Sequence, residues 1–130
     1  MIDIDDFKIY NDQYGHQRGD DCIIAISACI LSIAKRATDM AARYGGEEFV
    51  LLLPYTSQHN AVALGEKIRA EIESLNIRNE FLSPARAVTV SIGIATVLPQ
   101  KDDRFDGMIK NADTALYQAK RLGKNRLHVF

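Results

Sequence analysis

The chain has 130 residues, 47% of them hydrophobic, and a formal net charge of −1. That length suits one compact domain with a real apolar core. The near-neutral balance excludes a global basic field for wrapping DNA or RNA, so a nucleotide partner must be held by individually placed groups.

Residues 1–4 read as the end of a strand, and residues 6–13 as a short helix that breaks at Tyr14-Gly15-His16. Three early acids, Asp3, Asp5 and Asp6, stand where a secretory signal would carry basic residues. Asp20 or Asp21 is expected to cap the next helix. Its apolar face runs through Cys22, Ile26, Cys29, Ile30 and Ile33. Seven helical residues separate the two cysteines by ~10 Å, too far for a disulfide. Their spacing is not that of metal ligands. Two reduced thiols fit a cytoplasmic protein, whether alone or within a longer membrane-attached or multidomain one. The longest apolar stretches fall well short of the ~20 residues of a bilayer span, so this segment is expected to make no membrane contact.

Residues 40–44 and 49–53 read as strands, and Gly45-Gly46 between them signals a hairpin. Pro54 ends the second strand. Thr56 or Ser57 starts an amphipathic helix with Ala61, Leu64, Ile68, Ile72 and Leu75 on one face. Residues 76–85 read as a loop. Residues 88–97 form the strongest strand signal, rich in Val, Ile and Thr. A last helix spans 104–122 and stops at Gly123, followed by a terminal strand over 126–130. Helices alternating with strands, plus one internal hairpin, imply an α+β (α/β) sandwich. Its central sheet should be mixed, mostly antiparallel and surrounded by helices.

Chemistry concentrates at two places. Alternate strand residues share a face, so Asp3 and Asp5 converge if the first strand continues, with the Ile4 carbonyl between them. Glu47 and Glu48 follow two glycines at the hairpin. Glycine permits the tight turn and the close approach of a ligand. Two acids at such a tip call for a positive partner, and Mg²⁺ prefers carboxylate oxygens while keeping waters or phosphates. Each piece alone is commonplace; the combination is informative.

Arg43-Tyr44-Gly45-Gly46-Glu47-Glu48-Phe49 is similar to the signature of the GGDEF family, in its Glu-Glu variant. Asp3-Ile4-Asp5-Asp6-Phe7-Lys8, with Asn11-Asp12, Gly15-His16 and Gly19-Asp20, resembles the family's first segment. Residues 89–93 resemble its late central strand, and residues 112–120 with Gly123-Lys124-Asn125 resemble its last helix and loop. The resemblance covers residues 1 to about 126. It implies a fold similar to nucleotidyl cyclases and polymerase palms.

The resemblance further implies a diguanylate cyclase that condenses two GTP into cyclic di-GMP. Its cofactors would be Mg²⁺ (or Mn²⁺), two per active site, held by Asp3, the Ile4 carbonyl and Glu47. Glu47 and Glu48 would help deprotonate the attacking hydroxyl, and Lys8 would stabilise charge at the phosphate. The N–H groups of Asp6, Phe7 and Lys8 at a helix start suit anionic phosphate. Lys120 and Lys124 would reach the terminal phosphates, and Gly45 and Gly46 would line the nucleotide. Asn11 and Asp20 would read guanine, whose edge offers donors beside an acceptor. Arg36 and Asp39, nine and six residues before Gly45, resemble the family's product-inhibition site; Lys67 or Arg69 would complete it. His16 is expected to order its loop.

Catalysis would need a homodimer, each chain presenting one GTP. The family's usual opening segment and any regulatory domain are expected to be missing before Met1. The alternative is a non-catalytic GTP or cyclic di-GMP binding module. A different nucleotidyl cyclase would share the metal logic but not the guanine-reading pair.

Overall fold

The computed structural model describes residues 1–82, 84, 86–100 and 105–130. In chain order the elements are β1 (Ile2–Ile4), α1 (Phe7–Tyr14), α2 (His16–Ile33), β2 (Met40–Gly45), β3 (Glu48–Leu52), α3 (Gln58–Ser74), β4 (Arg78–Asn79), β5 (Arg86–Ala87), β6 (Val90–Ile94), α4 (Phe105–Arg121) and β7 (Leu127–Val129).

The main sheet has the order β2-β3-β1-β6-β7. Only β6 and β7 pair in parallel; the other neighbours are antiparallel. This is the mixed, mostly antiparallel sheet that the alternation of elements implies. The short β1 lies in its centre, so Ile2, Asp3 and Ile4 are all buried.

Alternate residues of β6 carry the two helical layers. A Cβ on Gly93 would fall 2.1 Å from the Ala112 carbonyl oxygen and 2.2 Å from the Leu116 nitrogen. The α4 backbone therefore lies directly on that face. On the other face Ile92 and Ile94 meet Gly65 of α3. The α2 stripe puts Cys22, Ile26 and Ile30 into the same core as Ile68 and Ile72 of α3. Each such fully buried aliphatic side chain contributes roughly 1.5–3 kcal/mol relative to exposure. Cys22 and Cys29 are free thiols, and burial pushes Cys22 up to about 11. Among the described residues no helix is long and apolar enough to cross a membrane.

Some expected boundaries move. Asp20 and Asp21 cap nothing, because α2 starts at His16 with Gly15 as its N-cap. Gly15, at φ 84°, breaks the chain by itself, and the helix resumes at once. Asp20 therefore sits in the second turn. The central strand is shorter than residues 88–97, because the chain leaves the ladder after Ile94. The expected loop over 76–85 contains β4, which pairs with β5 as a second small sheet; positions 83 and 85 lie outside the described residues. Position 104 of the expected last helix also lies outside them. Ser57 caps α3 by accepting from the Asn60 N–H, as the sequence suggests, but Leu75 is 41% exposed beyond its end.

Candidate active site

Antiparallel pairing of β1 with β3 brings the two acidic segments together. Asp3 is the cross-strand partner of Glu48, and the Ile4 N–H donates to the Glu47 carbonyl at 3.3 Å. The tip that makes this possible is a two-residue turn, Gly46-Glu47, with Gly46 at φ 55°. Arg43 clamps it by donating from Nε to the Gly46 carbonyl at 2.7 Å.

Asp3 is buried, and its carboxylate pairs with Lys120 Nζ at 2.8 Å. Burial pushes its pKa up, and the Glu47 and Glu48 carboxylates push it further; Lys120 only partly offsets this. The pocket is thus short of positive charge. Among the described residues no three His, Cys, Asp or Glu side chains form a ready metal cage. The set on offer is open: Asp3, Glu47 and the Ile4 carbonyl are hard oxygen donors beside an unbalanced acidic field. That chemistry fits a hard divalent cation that keeps water or phosphate ligands. A cleft of about 330 Å³, lined by Glu48, Asp113, Thr114, Leu116, Tyr117 and Lys120, adjoins this cluster.

Asp5 does not join the metal set. It is buried, accepting from Thr89 Oγ1 at 2.7 Å, Ser91 Oγ at 2.6 Å and the Asn125 N–H at 3.0 Å. With its oxygens spent on these donors, it ties β1 to the start of β6 and to the loop after α4. The Asp-x-Asp pair therefore splits into one acid paired with Lys120 of the cleft wall and one that locks the scaffold.

The next residue, Asp6, has a left-handed backbone at φ 56° and opens α1. Its carboxylate accepts from Lys124 Nζ at 2.5 Å and from Arg86 Nη2 at 3.0 Å. Burial alone would raise its pKa, but the two cations outweigh burial and hold it below the usual carboxylate range. Lys120 and Lys124, both expected at the phosphates, thus converge on the opening acids. Phe7 is buried in the core, and Lys8 is exposed, pairing with no acid among the described residues.

Asn11 lies against Gly19. A Cβ at Gly19 would come within 1.8 Å of Asn11 Oδ1, so only glycine leaves room for this amide. That oxygen is buried and without a hydrogen-bond partner. An orphaned acceptor costs free energy unless a donor arrives, which suits an amide placed to meet a ligand. Asp20 follows Gly19 with an exposed side chain.

A side-chain network centred on Asn125 holds the Lys124 loop. Gly123, Lys124 and Asn125 all have positive φ, at 118°, 62° and 47°. The Asn125 side chain accepts from Arg69 Nη1 and donates to Glu73 Oε1, both at 2.8 Å. Arg69 also binds Glu66 and Glu73. No spacing signal links α3 to this loop, so only the fold reveals the network. It also commits Arg69, whereas Lys67, the other candidate on that helix, is exposed.

That second site lies at the other end of β2, about 17 Å along the strand from the hairpin tip at ordinary rise. Arg36 grips Asp39 through Nε at 2.9 Å and Nη2 at 2.6 Å, and Nη2 also donates to Thr56 Oγ1 at 2.6 Å. Hydrogen bonds from Arg36 hold Asp39 below the ordinary carboxylate pKa.

The family described as "Diguanylate cyclase, GGDEF domain" matches residues 1–126. The chain belongs to the GGDEF family. The diguanylate cyclase DgcM of Escherichia coli K12 is 41% identical over 127 residues, 98% of this chain and 29% of that protein. Diguanylate cyclase A of Treponema denticola is 40% identical over 98% of this chain and 33% of its own length. This GGDEF domain therefore spans about a third of the curated relatives it matches. Among solved structures, the GGDEF domain of DgcB from Caulobacter crescentus, in complex with c-di-GMP, superposes with a TM-score of 0.86 at 36% identity, covering 98% of this chain and 74% of that one. The active GGEEF domain of a diguanylate cyclase from Vibrio cholerae superposes at 0.84 with 32% identity, covering 99% and 79%.

Proposed function

We propose that this GGDEF domain is a diguanylate cyclase catalytic unit, condensing two GTP into cyclic di-GMP and two pyrophosphates. The observation that carries this reading is Asp3 facing Glu48 across the ladder, with Lys120 on Asp3 and the Glu47 turn hydrogen-bonded to Ile4. Asp3, Glu47 and the Ile4 carbonyl would hold Mg²⁺ (or Mn²⁺), two ions per site. Bound there, such cations supply charge neutralisation at the reacting phosphate.

The chain's own groups do the rest. Lys120 and Lys124 turn from Asp3 and Asp6 to the terminal phosphates, joined by the N–H groups that open α1. Asn11 and Asp20 take the guanine edge, with the unpartnered Asn11 Oδ1 accepting from a base donor. Gly45 and Gly46 keep the hairpin backbone bare where the nucleotide lies. The 3′-oxygen of one GTP attacks the α-phosphorus of the other and the bond to pyrophosphate breaks. The hydroxyl proton passes to Glu47 or Glu48, and Lys8 offsets charge on the phosphate. The same exchange in the opposite sense closes the ring. The reacting groups come from two nucleotides, so two copies of the domain must face each other.

Arg36 and Asp39 form the product site, with Lys67 as the candidate further cation. Binding there requires the Arg36–Asp39–Thr56 cluster to share its donors with a guanine or phosphate. The reduced thiols support a cytoplasmic setting. Incubation with GTP and Mg²⁺, followed by chromatography, tests the assignment. Cyclic di-GMP is expected from the wild type and not from Glu47→Gln; GTP bound without turnover at high protein concentration would contradict it.

A further inference from the structure

A carboxylate at the mouth of a phosphate subsite is an electrostatic liability, and Asp6 is such a carboxylate. Its two oxygens are divided between two cations: Oδ1 takes Lys124 and Oδ2 takes Arg86. Asp6 is only 12% exposed, against 46% for Arg86. Once Lys124 moves to a terminal phosphate, Asp6 loses one cation just as a polyanion arrives. Coulomb repulsion at such distances is appreciable wherever water is partly excluded. Something must keep Asp6 neutralised.

Arg86 is built to remain. It sits in β5, opposite Asn79 of β4, and Asn79 is 1% exposed. The adjoining Glu80 N–H donates to Tyr14 Oη of α1 at 3.0 Å, and Phe81 packs edge-on to Tyr14 at 5.1 Å. The small hairpin is thus fastened to the same helix that Asp6 opens. The Arg86 guanidinium engages Asp6 through Nη2 at 3.0 Å.

We propose that Arg86 is a positioning residue of the triphosphate subsite, the standing counter-ion of Asp6 that frees Lys124 to bind a terminal phosphate. This rests on the reading that GTP binds at α1. It assigns the β4–β5 hairpin a role in substrate affinity, not in the chemical step.

Calorimetric titration in Mg²⁺ tests it with GTP, GMP and inorganic tripolyphosphate as separate probes, on the wild type, Arg86→Ala, Asp6→Asn and the double variant. Arg86→Ala is expected to weaken GTP and tripolyphosphate about three- to tenfold, less at high salt, and to leave GMP unchanged. In the Asp6→Asn background the same substitution should cost nothing, because no carboxylate remains to neutralise. Equal losses in both backgrounds, equal losses for GMP, or no loss would each overturn the proposal. A wild type that binds tripolyphosphate in this pattern but not GTP would sink the GTP reading and keep Arg86; binding of neither probe would sink both.

Discussion

Asp3 and Glu48 are cross-strand partners, and the carboxylate of Asp3 is paired with Lys120 at 2.8 Å. Three acids and one lysine share this corner, so its excess charge is negative and its natural complement is a small hard cation. Asp3→Asn and Glu47→Gln are each expected to lower the rate of cyclic di-GMP formation by about 100-fold or more, the usual scale for removing an electrostatic element of a reacting centre. Circular dichroism should show both variants folded. Initial rates at saturating GTP and Mg²⁺ check this.

Gly19 makes room for Asn11, since a Cβ there would overlap the amide oxygen. Gly19→Ala should push that amide out of its seat and blunt the choice of guanine over adenine. The expected loss is about tenfold in the GTP-to-ATP affinity ratio, equivalent to roughly 1.4 kcal/mol. Competition of the two nucleotides against a fluorescent GTP analogue measures it.

Asn125 holds a left-handed backbone and links Arg69 and Glu73 to the loop that carries Lys124. Asn125→Ala loses both side-chain bonds and puts alanine in a left-handed conformation that asparagine tolerates better, a cost of about 1–3 kcal/mol. Its melting temperature should fall and its KM for GTP rise, with kcat less affected. Asn125→Gly, which restores backbone freedom but not the amide, should recover part of the stability and none of the KM.

The Met1 amine donates to the Gly93 carbonyl at 2.9 Å, and burial lowers its pKa from 8.0 to about 6, with Asp113 opposing. Between those values the unfolded amine binds more protons than the folded one. In a chain that carries this free amine, stability rises with pH from about 6 to 8 and is flat with respect to this group outside that window. The gain is about 2 to 3 kcal/mol at most. Urea titrations of a chain with a free Met1 amine, at pH 6 and pH 8, should show it. Acetylating that amine should abolish it.

Much of this was legible from the chain. Periodicity located the four helices and the main-sheet strands, because Ile26, Ile30, Ile68 and Ile72 repeat at helical spacing and all enter the core. The two glycines announced the hairpin, and the acids flanking it pointed to a cation. What stayed hidden depends on long-range packing. Asp3 and Asp5 look equivalent in sequence, yet one pairs with Lys120 and the other with Thr89, Ser91 and Asn125. Asp20 had the chemistry of a cap, but Gly15 ended one helix and opened the next without it. Arg86 carries no local signal, since Asp6 lies 80 residues away, and the link from Arg69 to Asn125 spans 56 residues.

The most direct measurement is anomalous scattering from crystals grown with Mn²⁺ and a non-hydrolysable GTP analogue. Peaks within coordination distance of Asp3, the Ile4 carbonyl and Glu47, bridging to the nucleotide phosphates, are the expected result. Manganese and phosphates bound elsewhere, with Lys120 still on Asp3, would contradict the account.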